Sequence, residues 1–156
     1  MRHRSVPNHG RSNLRNERWF VRRPEALAEI KEVLSAYPDL RLVETEELIF
    51  IRGTLAVAHD GEVLDRFQIE IFFTSRYPEE MPRVREIGGR IPWTLDNHVY
   101  PQIGFCCIQV PDEWLLDRSR SFRAFLEISV RNYFLGQALV AAGKCISVRR
   151  FHKLSP

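Results

Sequence analysis

The chain has 156 residues, of which 44% are hydrophobic and 28% charged, a composition that fits one globular domain and excludes a disordered or low-complexity protein. No apolar run approaches the ~18 residues of a membrane span, and no apolar core of a signal peptide follows the Arg-rich start; a cytoplasmic protein without membrane contact is expected. The 23 basic and 20 acidic residues nearly cancel, leaving a formal charge of +3.

That charge is uneven. Residues 1–23 hold seven Arg (2, 4, 11, 15, 18, 22 and 23) against one acid, Glu17. Such a segment either steers toward an acidic partner or nucleic acid, or is a solvated tail. Over residues 1–18 the Arg residues have no aromatics interleaved among them, which makes a weak nucleic-acid signal. Residues 1–18 read as a flexible basic arm and residues 19–156 as one domain. The three Cys include an adjacent pair, and there is neither a CxxC nor a second Cys/His pair at zinc spacing, so neither a disulfide framework nor a structural metal is expected.

Trp19-Phe20-Val21 is a candidate anchor of the arm on the domain. Pro24 suits the first position of a helix, and Leu27, Ile30, Val33 and Leu34 recur on one face with Glu25, Glu29, Lys31 and Glu32 around the other. Pro38 is the expected stop. Leu40 and Leu42 then alternate with polar neighbours, and Leu48 to Ala58 is a β-branched and apolar run. His59-Asp60-Gly61-Glu62 reads as a hairpin turn, and Val63 to Thr74 returns with Phe67, Ile69, Ile71 and Phe73 on one side of the pleat. The prolines of Tyr77-Pro78-Glu79-Glu80-Met81-Pro82 end that strand by removing ladder donors. Val84 to Ile87 is a short fourth strand, closed by Gly88-Gly89. Further on, Ser121 is a plausible N-cap, and Phe122, Phe125, Leu126, Ser129, Tyr133 and Phe134 keep helical spacing toward Ala142 and Gly143. The last run, Cys145 to Pro156, is short and basic. The fold class is α+β: an N-terminal helix, a four-stranded antiparallel meander, an irregular segment and a long C-terminal helix.

The irregular segment, Asn97 to Trp114, carries the chemistry. It packs Asn97, His98, Gly104, Cys106, Cys107 and Trp114 into a loop long enough to need a functional reason. A thiolate is both a strong nucleophile and a good leaving group, which suits it to hold an acyl group as a thioester. Adjacent residues of an extended segment point to opposite sides, so one of the two thiols is expected inside and the other outside. Gly104 permits close backbone approach or a positive φ. Local composition leaves both fates open for the outer thiol, packed or reactive, and packing is the commoner one. Trp93 reads equally as core or interface.

The order of elements and these motifs resemble the ubiquitin-conjugating enzymes over roughly residues 20–142. Tyr77-Pro78 to Pro82 matches the family's tyrosine-and-proline turn, Gly104-Phe105-Cys106-Cys107-Ile108 looks like its Gly-x-x-Cys-Leu, and Trp114 stands where the family has a Trp after the Cys. The resemblance implies that Cys107 is the thioester residue and Cys106 a packed neighbour, with no metal or organic cofactor. The family's His-Pro-Asn is replaced by Asn97-His98-Val99-Tyr100-Pro101: His98 falls near the family's His, and Asn97 is the candidate for the missing oxyanion donor, with backbone N–H groups the alternative; a purely structural role for both residues is the commoner reading. Asp112 either orients an incoming amine, as acidic residues near the thiol do in the family, or caps the turn after Pro111. The partners implied are an activating enzyme and a ubiquitin-like protein or a target with a conjugated C-terminus. Arg22, Arg23 and Lys31 of the first helix mark the implied docking face for the activating enzyme, and an ordinary solvated face is the alternative. The short stretch after Gly143 resembles bacterial ubiquitin-conjugating-like proteins of antiviral defence operons. An inactive relative that only binds, like the family's variants without the Cys, is the alternative function. A thiol peptidase using His59, His98 or His152 ranks last, because no peptidase motif surrounds the Cys.

Overall fold

The computed structural model describes residues 18–108, Trp114 and residues 120–144; the expected basic arm over 1–17, Asp112 with the rest of 109–113, and the basic run 145–156 with His152 lie outside the described residues. A single helical turn, α1 (Trp19–Arg22), precedes α2 (Pro24–Leu34). Of the three candidate anchor residues, Trp19 does the anchoring. It is fully buried, with its ring 4.8 Å from that of Tyr77 and 5.4 Å from that of Phe73. Val21 points to solvent instead. Pro24 opens α2, and Ile30, Val33 and Leu34 bury the predicted face. The helix ends ahead of the expected stop. Pro38 disfavours helical backbone at Tyr37, and the chain tightens beforehand into i→i+3 bonds from Ala36 to Val33 and from Tyr37 to Leu34.

The meander follows as β1 (Leu40–Glu44), β2 (Ile49–His59), β3 (Glu62–Phe72) and β4 (Arg83–Glu86), antiparallel throughout and paired in sequence order. The β2–β3 hairpin turns at Asp60 and Gly61, both at positive φ (52° and 82°), the backbone that a two-residue turn needs to match strand twist. Period-two alternation then sorts the side chains. Ile49, Ile51, Leu55 and Val57 of β2 and Phe67, Ile69 and Ile71 of β3 are buried on one face, where Phe67 meets Phe134 of the last helix at 5.0 Å. Phe73, just past β3, joins them in the core. On the other face Glu70 lies between Arg52 (3.1 Å) and Arg85 (3.4 Å).

The C-terminal helix has three parts: α3 (Phe122–Ala124), a π-helical stretch Phe125–Val130, and α4 (Arg131–Ala141). Ser121 caps it, its hydroxyl accepting the Ala124 N–H at 3.3 Å. Within the wide stretch Ser129 is half-buried, while Val130, four residues after Leu126, is fully buried, and Tyr133 and Phe134 stay on the expected face. The helix ends one residue short of Ala142, with Gly143 at φ 70° beyond it. Among the described residues no helix is long and apolar enough to cross a membrane.

Candidate thiol site

The chain leaves β4 through a turn organised by Glu86, whose buried carboxylate accepts N–H groups from Gly88 (2.7 Å), Arg90 (3.1 Å) and Ile91 (3.4 Å). Thr94 caps a 3₁₀ turn, Leu95–Asn97, and His98 ends it in the left-handed region at φ 54°. The chain then folds back on itself. The Gly104 N–H donates to the Tyr100 carbonyl at 2.9 Å, and Gly104 sits at φ 73° with the Trp93 ring against it. A Cβ there would lie 2.4 Å from the indole, so close approach and positive φ both apply. Trp93 itself is half exposed, packed on the loop rather than in the core.

The returning arm forms a short antiparallel ladder with residues 98–100. Tyr100 N–H donates to the Phe105 carbonyl at 3.0 Å, and Cys107 N–H to the His98 carbonyl at 2.6 Å, which sets Val99 opposite Cys106. On its other side Cys106 pairs with Val84 of β4, its N–H 2.7 Å from the Val84 carbonyl. Cys106 is therefore locked between two strands and 5% exposed, while Cys107 is half-buried. Burial pushes the Cys106 thiol up to about 12, and the smaller effects of the Tyr133 hydroxyl and the Glu86 backbone do not offset it. At Cys107 the neighbour is Tyr100. The phenol's pKa is raised, first by the charge Cys107 carries when ionised, then by partial burial, then by a side-chain hydrogen bond between the two residues.

The remaining predicted residues take other places. Asn97 donates its side-chain amide to Thr94 Oγ1 (2.9 Å) and the Pro92 carbonyl (3.3 Å), which holds the 3₁₀ turn. Its carbonyl accepts the Tyr133 hydroxyl (2.7 Å) and Gln137 Nε2 (3.2 Å). His98 meets Cys107 through its backbone. His59 lies at the β2–β3 turn beside Asp60, at the other end of the sheet from the thiol. Trp114 is buried and donates its indole N–H to the Pro78 carbonyl at 3.0 Å, tying the tyrosine-and-proline turn to the segment after the thiols. The first-helix cations are all engaged within the chain: Arg22 with the Ser75 carbonyl (2.7 Å), Arg23 with Glu79 (2.7 Å), Lys31 with Glu44 (3.2 Å).

Sequence reasoning missed Tyr100, and missed the pair Tyr133 and Gln137. The second had a signal. Gln137 follows Tyr133 by one helical turn on a buried face, and a polar side chain there has to find partners. Beside the loop opens a groove of about 480 Å³, floored by Met81, Pro82, Phe105 and Trp114 with Tyr100 and Ile103 on its rim.

A helix, a sequential four-stranded meander, the thiol loop and a closing helix make this the fold of the ubiquitin-conjugating enzymes. One solved structure with it, described as "Novel Ubiquitin-Conjugating Enzyme", aligns at a TM-score of 0.52 and 16% identity over 93% of this chain and 99% of its own. The yeast vps23 UEV domain, solved in complex with a vps27 PSDP peptide, aligns at 0.51 and 14% identity over 83% of this chain and 92% of its own. In sequence, the probable ubiquitin-conjugating enzyme E2 W-A of Danio rerio is 34% identical over 70 residues, which are 45% of this chain and 43% of that protein. The match spans less than half the length of that curated relative. No family model matches.

Proposed function

We propose that the chain carries the activated C-terminus of a ubiquitin-like protein as a thioester on Cys107 and transfers it to an amine or another nucleophile of a target. Cys107 Sγ would attack the thioester carbonyl presented by an activating enzyme; the new C–S bond forms as the activating enzyme's thiolate leaves. An incoming amine then attacks the same carbonyl, Cys107 leaves as thiolate, and the amine gives up a proton. The observation that carries this reading is the opposite placement of two adjacent thiols on this fold, with Cys106 locked inward and Cys107 turned outward after Gly104. Asn97 and His98 are assigned to the site through their backbone, as the frame that holds Cys107, and Asp112 as an acidic group for the incoming amine. The defence-operon setting enters only through the resemblance of the sequence; the genes beside this one test it.

The experiment is intact-mass and non-reducing gel analysis after incubation with an activating enzyme, its modifier and ATP. A thiol-sensitive adduct is expected on the chain and on Cys106→Ala, none on Cys107→Ala, and a thiol-resistant ester on Cys107→Ser. One observation favours the second reading, a module that only binds: the groove beside the loop, lined by apolar side chains together with Glu79, Glu80 and Arg83, on a fold shared with a UEV domain solved with a peptide. No adduct with any modifier, together with equal partner binding by the chain and Cys107→Ala, would establish that reading instead.

A further inference from the structure

We propose that Tyr100 is a positioning residue for the thiol: its phenol donates a hydrogen bond to Cys107 Sγ, fixing the sulfur on the outward side of the loop and stabilising the charge it carries when it attacks or leaves. The ladder geometry places the two side chains together. With Val99 opposite Cys106 and both buried, the next residue along each arm, Tyr100 and Cys107, steps to the outer side. They are diagonal cross-strand neighbours there, a separation that a long aromatic side chain spans. The Tyr100 backbone is fixed at both groups, its N–H on the Phe105 carbonyl (3.0 Å) and its carbonyl taking the N–H groups of Gly104 (2.9 Å) and Ile103 (3.3 Å), so the ring leaves the loop in a set direction. The ring is 48% exposed, and packing alone does not explain its place. The electrostatics agree, since the charge of an ionised Cys107 is the largest influence raising the Tyr100 phenol.

The inference rests on Cys107 being the reacting group, but its test needs no modifier. The rate of iodoacetamide alkylation at Cys107, read by peptide mass mapping across a pH series, would be compared in the chain and in Tyr100→Phe. The expected result is alkylation about three- to tenfold slower in Tyr100→Phe at neutral pH. In parallel, ultraviolet difference titration should find the Tyr100 phenol ionising nearer the ordinary tyrosine range in Cys107→Ala than in the chain. Superposable alkylation profiles, or a phenol titration unmoved by Cys107→Ala, would overturn the proposal. If Tyr100→Phe melts early, the phenol titration in Cys107→Ala decides alone. The two readings fail separately: slower alkylation without any thioester sinks the carrier function and keeps the contact, whereas a normal thioester with unchanged alkylation does the reverse.

Discussion

The two sides of the ladder between residues 98–100 and 105–107 set one sulfur chemistry in two environments. On the inner side, Cys106 faces Val99, is 5% exposed, and has its thiol pushed up to about 12 by burial. On the outer side, one residue on, Cys107 is half-buried with a phenol against it. Composition does not distinguish the two cysteines; the phase of a two-residue period does. The inner thiol belongs to the core, and the outer one is the thiol we propose as the acyl carrier. The sharpest way to break this contrast is alkylation at neutral pH, where Cys107 should react more than about a hundredfold faster than Cys106. Comparable labelling of both would end the distinction.

Raising the pH tests the inner side through the Cys106 thiol. The Cys106 thiol has a folded pKa above its unfolded one, so the stability it contributes is complete below the unfolded value of 9.0 and is lost as pH climbs toward about 12. Burial likewise raises the phenols of Tyr77 and Tyr133, which add to the fall at higher pH. Urea unfolding should therefore show stability declining through that window, and Cys106→Ala should start lower but decline less at its beginning. An equal slope in the variant would mean that the buried thiol is not what titrates.

Gly104 decides whether the ladder forms in the right phase at all. Ala at this position takes on both the left-handed backbone and the collision with the Trp93 ring, at a cost of about 1–3 kcal/mol. The indole is half exposed and able to shift, so Trp93→Ala in the Gly104→Ala background should recover the steric part and leave the backbone part. Chemical denaturation of the two single variants and the double variant measures the split. Full recovery would reduce the glycine to a space-filling role.

The elements whose pattern repeats were legible in the sequence. Alternation from Phe67 to Phe73 and helical spacing at Ile30, Val33 and Leu34 placed the core faces, because burial imposes a period on many residues at once. The opposite fates of Cys106 and Cys107 were legible for the same reason. What escaped depended on one-off geometry. The π-helical stretch Phe125–Val130 leaves the buried face at its expected spacing, and nothing in a period of 3.6 announces its wider backbone bonding. Tyr100 reaches Cys107 only because the chain doubles back between them, a pairing fixed by the turn at Gly104 and by hydrogen bonds between backbone groups common to every residue. Asn97 had two readings in the sequence, an oxyanion donor or a structural residue, and what the sequence did not specify was the 3₁₀ turn its amide holds; local side-chain-to-backbone bonding of this kind depends on φ and ψ.

The smallest expected effect comes from the last helix, which touches the inner side and the loop frame together. The Tyr133 hydroxyl donates to the Asn97 carbonyl at 2.7 Å, accepts from Gln137 Nε2 at 3.2 Å, and lies against the Cys106 thiol. Tyr133→Phe removes the hydroxyl and keeps the ring. Gln137 still reaches the Asn97 carbonyl, at 3.2 Å, so that acceptor keeps a partner and the loss should be about 1 kcal/mol in urea unfolding. Gln137→Leu alone should cost a similar amount. Because the two side chains share one acceptor, the double variant leaves a partly buried carbonyl without either partner and should exceed the sum of the singles by about 0.5 kcal/mol or more. Alkylation at Cys107 should stay within about twofold of the parent rate in Tyr133→Phe, since the His98 carbonyl that holds the Cys107 N–H is untouched. A large change in that rate with little loss of stability would show the opposite coupling: the core side of the ladder would then be setting the geometry of the outer thiol, and the two cysteines could no longer be treated as independent.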